Sequence, residues 1–160
     1  MLDNLFVAGV VAAVGEALAS AHADDGPVAV IGNARFATAL AKQRPTLAVG
    51  LSARAAKKLA PASADPDATG SPRGVLDDLS SVEARSLAAV IATDVAIGDD
   101  WQAWLREWTR VVRDGGAIVL VDRGHAPEAS RRALCGGLTE LEQRRAGRSI
   151  VTSGLVSHLI

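Results

Sequence analysis

Short uninterrupted apolar runs alternate with amphipathic segments along most of the chain. Apolar runs without polar positions are typical of strands in a parallel sheet, which is covered on both faces. The predicted strands are Val28–Ile31, Leu47–Leu51, a brief Gly74–Leu76, Leu87–Ala92 and Ala117–Val121. Apolar residues at helical spacing predict helices at Ala34–Lys42, Ala53–Leu59, Asp99–Val112 (capped by Asp99 or Asp100) and from Pro127 to about Leu134. This alternation predicts a three-layer, doubly wound α/β fold.

The two ends of the chain complete the prediction. Residues 1–24 form a leading buried helix whose main apolar face comprises Leu2, Leu5, Phe6, Val10, Val14 and Leu18. Leu138–Arg145, Ala146-Gly147 and Ser149–Ser157 form a strand, a tight turn and a strand. The sheet is therefore expected to have seven mostly parallel strands, with a C-terminal antiparallel hairpin and the Val28 strand at its centre.

One stretch has the composition of a linker. Pro61–Pro72 is rich in Pro, Ala, Ser and Asp, and a mobile surface loop is expected over residues 61–73. Too little chain follows it for a second core, so residues 1–160 are expected to form a single domain.

Composition excludes several function classes. The chain has 17 basic and 18 acidic residues without a basic block, which argues against nucleic-acid binding. The first residues include Asp3 and no Lys or Arg, and the apolar run that follows is too short to span a bilayer. The single Cys135 is expected to be a small buried thiol in a reducing cytoplasm. The dispersed histidines predict no metal site. A cytoplasmic location without a membrane or nucleic-acid partner is therefore expected.

Three segments resemble class I S-adenosylmethionine-dependent methyltransferases. Trp101–Asp122 (WQAWLREWTRVVRDGGAIVLVD) resembles the family's R-V-L-x-x-G-G helix–turn–strand, and Val28–Phe36 (VAVIGNARF) stands where the family keeps its cofactor loop. Gly137–Glu142 (GLTELE) is similar to the entry to the family's terminal hairpin. The resemblance covers nearly the whole chain and implies the methyltransferase fold, although none of these structural motifs is catalytic.

The resemblance also implies where a cofactor would bind. The family's acid-x-G-x-G-x-G loop falls on Val30, Gly32, Ala34 and Phe36, so one glycine of three is present. The Phe36 ring is expected either to fill the cofactor volume or to pack beneath the first helix. The acid that binds the ribose hydroxyls falls on Ser52, and the acid that opens the fourth strand falls on Ala88. If the cofactor binds, the implied contact residues are Gly32, Asn33, Ala34, Ser52, Asp77, Asp78 and Thr93.

These departures favour a chain that needs no cofactor. The expected function is a non-catalytic, methyltransferase-like protein that serves as a structural or protein-interaction module. The alternative is a divergent S-adenosylmethionine-dependent methyltransferase acting on a small molecule.

Two further clusters carry hypotheses. Asp94, Asp122 and His125 follow the fourth and fifth strands and would form an acid–base group if they converge. The simpler interpretation is a loop cap, a turn and a solvated histidine. Trp101, Trp104 and Trp108 form one helical stripe, which suits either a core face or an interface. The interface interpretation predicts a homodimer or a subunit of an assembly.

Overall fold

The computed structural model describes residues 2–23, 25–63 and 71–158. Its helices are α1 (Leu2–Ser20), α2 (Ala34–Ala41), α3 (Ala53–Ser63), α4 (Trp101–Val111) and α5 (Ala126–Cys135). Its strands are β1 (Val28–Ile31), β2 (Thr46–Val49), β3 (Gly74–Leu76), β4 (Leu87–Thr93), β5 (Val112–Asp122), β6 (Thr139–Ala146) and β7 (Ser149–Leu155). Among the residues described, no helix is both long and apolar enough to cross a lipid bilayer.

The seven strands form one mixed sheet in the order β3-β2-β1-β4-β5-β7-β6. The neighbouring pairs from β3 to β5 are parallel, and β7 is antiparallel to both β5 and β6. This confirms the predicted fold class. The expected central place of the Val28 strand is wrong, because β1 lies beside the central β4. Strands β3 and β4 are consecutive in sequence but are not neighbours in the sheet, and the same holds for β5 and β6. No single apolar run in the sequence specifies this order of strands.

The strands contribute alternate side chains to two hydrophobic cores. Val28 and Val30 of β1 face a core shared with α1 and α2, whereas Ala29 faces a core that includes residues of α4 and α5. Val10, Val14 and Leu18 are buried, as predicted for the main face of the leading helix. The side chains of Leu2, Leu5 and Phe6 lie outside the described part of the chain. The helices thus cover both faces of the sheet.

The expected loop at 61–73 begins too early. Helix α3 continues to Ser63, four residues past the predicted Leu59. Proline fixes φ near a helical value of about −65°, so Pro61 near the helix end removes one hydrogen bond without reversing the chain. Residues 64–70 of the expected loop lie outside the described residues.

Two turns also differ from prediction. The expected Gly115-Gly116 turn lies within β5, where Val112 pairs with Leu87 and Ala117 pairs with Ala89. Between these two pairs the chain advances by five residues in β5 but by only two in β4, and the glycines form the resulting bulge. In the terminal hairpin Ala146 pairs with Ser149, so the turn consists of Gly147-Arg148 instead of Ala146-Gly147.

The connection between β3 and β4 departs from strand–helix alternation. Residues 77–86, all of which are described, form turns and contain no helix. The Arg110 guanidinium of α4 donates to the carbonyl oxygens of Leu79 (2.8 Å) and Val82 (3.0 Å). Arg110 also donates to both carboxylate oxygens of Glu107, and these contacts hold the connection against α4.

Candidate functional site

Gly32 opens the connection from β1 to α2 at the carboxyl edge of the sheet. Its φ is +75°, a backbone conformation that residues with a side chain rarely adopt. A Cβ built there would meet no atom within 4 Å. Its N–H donates to the Val49 carbonyl at 2.8 Å, which ties the connection to β2. The glycine is therefore required by backbone conformation, and the space beside it is open.

The residues that follow Gly32 serve the helix and the core. Asn33 Oδ1 accepts a hydrogen bond from the Phe36 N–H at 3.0 Å and caps α2. The Phe36 side chain is 4% exposed and belongs to the core beneath α1. Of the two expectations for this ring, the structure therefore gives packing beneath the first helix.

The ends of β2 and β3 carry the positions implied for ribose and adenine. Ser52 is exposed, and its Oγ accepts from the Ala55 N–H at 3.3 Å at the start of α3. Asp77 and Asp78 are both exposed beyond β3. Asp78 Oδ1 accepts from the hydroxyl and the N–H of Ser80, at 2.6 and 2.9 Å, and these bonds lower the pKa of Asp78. Ser52 and Asp78 are thus used in local structure.

A buried carboxylate lies at the ends of β4 and β5. Asp122 is 3% exposed, and its Oδ1 accepts from the Ala96 N–H at 2.9 Å. Its Oδ2 is buried and has no hydrogen-bond partner within the described structure. Thr93, which ends β4, is half-buried, and the exposed Asp94 has a φ of +60°. The Asp94 N–H donates to the Val121 carbonyl at 3.0 Å, so the two strand ends are joined.

Asp94, Asp122 and His125 are close enough to interact electrostatically. Burial raises the pKa of Asp122, and the charge of Asp94 raises it further. The Ala96 N–H, His125 and Arg132 act in the opposite direction. The raised pKa favours the protonated form of the buried Asp122 carboxyl, and the exposed His125 lies near it. The arrangement has the components of an acid–base pair, and it also has the structural role of fixing a loop.

Arg132 fixes the same loop from α5. Its Nη1 donates to the carbonyl oxygens of Val95 (2.5 Å) and Gly98 (2.6 Å), and its Nε donates to Glu128 Oε1 (2.7 Å). Bonds from Arg131 and Arg132 lower the pKa of Glu128 to about 2. The sequence interpretation missed this group, although acid and base at i and i+4 of a helix are a recognisable signal. We refer to Val95–Gly98 as the clamped loop.

Asp122→Asn is expected to stabilise the protein most at neutral pH. The amide oxygen keeps an acceptor for the Ala96 N–H, and the substitution removes a charge from a buried site. The expected gain is about 1 kcal/mol, at the lower end of the range for buried polar groups, because the new NH2 group takes the place of the unpartnered Oδ2. Because the folded-state pKa is raised, the favourable effect of protonated Asp122 is complete below the ordinary pKa of 3.8 and is lost as the pH rises through the folded value.

Thermal unfolding at several pH values checks this. The gain of Asp122→Asn over the wild type should shrink from pH 7 towards pH 4. The exposed Asp77→Asn provides the control, with no comparable change. A gain that grows as the pH falls would contradict a raised pKa for Asp122.

The three tryptophans divide between core and surface. Trp108 is 5% exposed, whereas Trp104 is 37% exposed and stacks on Trp108 with ring centroids 6.2 Å apart. Trp101 is half-buried, with the guanidinium carbons of Arg131 and Arg132 at 5.6 and 5.2 Å from its ring centre. The stripe is therefore neither wholly core nor wholly surface.

The exposed tryptophan lies against the clamped loop. A Cβ added to Gly98 would overlap the Trp104 ring, so only glycine permits this close contact. Ile97, the next residue in the loop, is 63% exposed. We call Ile97 and Trp104 the tryptophan patch.

Two further observations concern possible ligands of metals. Cys135 is exposed, so the expected buried thiol is wrong, because α5 directs its small face (Ala129 and Ala133) into the core instead. Within the described ranges, no group of three or more His, Cys, Asp or Glu side chains could hold a metal ion.

Comparison with known proteins gives matches only at the level of structure. No family model and no curated protein matches the chain. A Methanococcus maripaludis protein assigned to the S-adenosyl-L-methionine-dependent methyltransferases matches with a TM-score of 0.75 and 14% identity, over 99% of this chain and 90% of that chain. A geranyl diphosphate methyltransferase solved with S-adenosylmethionine matches with a TM-score of 0.63 and 13% identity, over 82% of this chain and 78% of that one.

A larger solved structure also matches the fold. The CurJ carbon methyltransferase matches 83% of this chain with a TM-score of 0.65 and 11% identity, and this chain spans 49% of its length. The strand order, the two-sided helix layers and these matches lead to one conclusion. The chain has the fold of S-adenosylmethionine-dependent methyltransferases.

Proposed function

We propose that the chain is a cytoplasmic, non-catalytic member of this fold that works through contacts with other proteins. The proposal rests on one observation: polar side chains at positions implied for the cofactor form hydrogen bonds within the chain itself. Asn33 caps α2, Ser52 caps α3, and Asp78 bonds Ser80 in its own turn. These polar groups are engaged within the chain, and Ser52 carries no charge to bind a ribose.

The energetic consequence is large enough to measure. A carboxylate that accepts two hydrogen bonds from ribose forms charge-assisted bonds, whereas Ser52 can offer one neutral bond. The difference is on the order of 1.5–3 kcal/mol. This weakens binding by roughly tenfold to a hundredfold before the missing glycines are considered.

Two observations favour the alternative, a divergent methyltransferase acting on a small molecule. The space beside Gly32 is open, as a bound cofactor requires. Asp94, Asp122 and His125 also interact at the neighbouring strand ends, where a substrate would meet a cofactor. In that enzyme, the exposed His125 would accept the proton that the substrate loses on methylation, beside the buried Asp122 carboxyl.

Titration calorimetry with S-adenosylmethionine and S-adenosylhomocysteine separates the two functions. We expect no binding by the wild type at tens of micromolar ligand. The variant Ser52→Asp supplies the missing carboxylate and keeps an N-cap residue, so any gain in binding reports the ribose contact rather than folding. A wild-type dissociation constant in the low micromolar range would refute the proposal and support the enzyme.

The protein contact that we propose first is self-association through the tryptophan patch. Ile97 of the clamped loop and Trp104 of α4 expose apolar surface side by side, and Arg132 and Asp122 hold the backbone of that loop. A rigid apolar surface with an aromatic residue is suited to an interface, since little conformational freedom is lost on binding. A symmetric dimer is the commonest way to cover such a surface, and a subunit contact in a larger assembly is the other form of the proposal.

A further inference from the structure

An open groove of ≈ 1090 Å³ lies between α1, α2 and α3, away from the tryptophan patch. Small and aliphatic side chains from all three helices contribute its apolar surface. They include Val7, Val11, Ala39, Ala55 and Leu59. Because alanine side chains are short, the backbone of a ligand can approach these helices closely.

The charged residues of the groove have one sign. Arg35 of α2 and Lys42 at the C-terminal end of α2 line one wall, and Arg54 and Lys58 line the other from α3. No acidic residue is among the described residues that line it. The whole chain is almost balanced in charge, so this concentration is local to the groove. The field inside the groove therefore favours an anionic ligand.

We propose that the groove binds an acidic amphipathic helix of a partner protein. Two features favour a helix over an amphiphile with a single anionic head. The cations are spread along both walls: Arg35 and Lys42 are seven positions apart on α2, about 10 Å along the helix axis, while Arg54 and Lys58 are one turn apart on α3. A ligand that carries negative charges along its length can contact the cations of both walls.

The size of the groove agrees with the same ligand. A helix has a diameter of about 10 Å and rises about 1.5 Å per residue. About nine helical residues then displace on the order of 1,100 Å³, similar to the volume of the groove. The apolar stripe of such a helix would lie on Val7, Val11 and Leu59, and its acidic flanks would meet the two basic walls.

The proposal concerns a surface different from the tryptophan patch. It adds a second class of partner to the proposed interaction function, and it does not depend on self-association. Ala34 and Ser52, two of the positions implied for a cofactor, also line the groove, so a cofactor bound there would compete with the helix. Failure of the groove would appear as absent peptide binding. Failure of the proposed non-catalytic function would appear as cofactor binding, whereas a monomeric protein would rule out only the homodimer.

Fluorescence anisotropy with a labelled peptide tests the groove. The probe is an amphipathic peptide of about 14 residues, with Leu and Ala on one face and Glu on the other. Saturable binding is expected, weakened as salt rises from low to physiological concentration. A peptide of the same pattern with Lys in place of Glu should not bind.

Charge reversal in the groove provides the decisive variant. Lys42→Glu combined with Lys58→Glu should weaken binding by at least about tenfold, because two attractions become repulsions. Lys57→Glu changes a neighbouring exposed residue of α3 that does not line the groove, and it should leave affinity within about twofold. Ala39→Trp tests the groove without a charge change, since the ring would occupy space needed by the peptide.

Three results would overturn the proposal. The first is no binding of the acidic peptide at hundreds of micromolar by folded wild-type protein. The second is an equal loss of affinity in the Lys57 control and the double variant. The third is binding to phosphatidylglycerol vesicles that the double variant abolishes while the peptide does not bind, which would assign the groove to an anionic lipid surface.

Discussion

Replacing Gly116 with alanine is expected to lower the free energy of unfolding by about 3 kcal/mol, the upper end for overpacking. A Cβ at this position would lie 2.6 Å from the Ala88 carbonyl oxygen, 2.5 Å from Val112 Cγ1 and 3.0 Å from the Arg113 carbonyl oxygen. Two of these atoms belong to the backbone, which cannot rotate away as a side chain can. The bulge would have to open, and with it the pairing of β4 and β5 at the middle of the sheet.

Urea unfolding of Gly116→Ala and Gly9→Ala measures this effect. Gly9 lies within α1, where an added Cβ meets no atom within 4 Å, so alanine there should stabilise the protein by about 0.5–1 kcal/mol. The two substitutions are chemically identical and are expected to have opposite signs. A Gly116→Ala variant as stable as the wild type would show that the bulge is not closely packed.

Trp108→Ala is expected to destabilise the protein by about 3–5 kcal/mol, as for other buried aromatic residues. Its ring belongs to the core that α4 shares with the sheet, beside Leu105 and Val111. Trp104→Ala should cost much less stability because its ring is partly exposed, and it should instead convert the proposed dimer into a monomer. The pair separates the folding role of the stripe from its interface role.

Urea unfolding gives the first quantity, and light scattering on size-exclusion fractions gives the second. Gln102→Ala changes an exposed position of the same helix and is the matched control for both. A monomeric wild type at high micromolar concentration would rule out the homodimer. A Trp104→Ala variant that stays dimeric would move the interface to another surface.

Strands β1, β2, β4 and β5 were predictable because each contains a continuous apolar run that is largely buried. Val28–Ile31 and Gly74–Leu76 have the predicted bounds, and the antiparallel hairpin lies in the predicted region. The Gly115-Gly116 bulge was not predictable as part of β5, because its glycines are the same residues that a free turn would use. Its strand character depends on the pairing of Val112 with Leu87, a contact distant in sequence.

The site was predictable in position and less so in structure. Asp94 and His125 each lie close enough to Asp122 to affect its pKa, and their role as an acid–base group stays a prediction. The burial of Asp122 and the carbonyl contacts of Arg132 depend on how α5 packs over the strand ends. The groove on α1–α3 was also not evident, because Lys42 and Lys58 lie on separate helices whose spacing the sequence does not specify.

The burial of the Phe36 ring limits which substitutions this chain can accumulate in evolution. A glycine at this position would match the methyltransferase loop, but it would also remove an aromatic side chain from beneath α1. Such truncations of buried rings cost about 3–5 kcal/mol, a large part of the 5–15 kcal/mol that separates most folded domains from their unfolded chains. A single substitution towards a cofactor loop would therefore be selected against before it could bind anything, unless the core of α1 and α2 changed first. The burial of Phe36 in the core therefore opposes the recovery of a cofactor-binding loop.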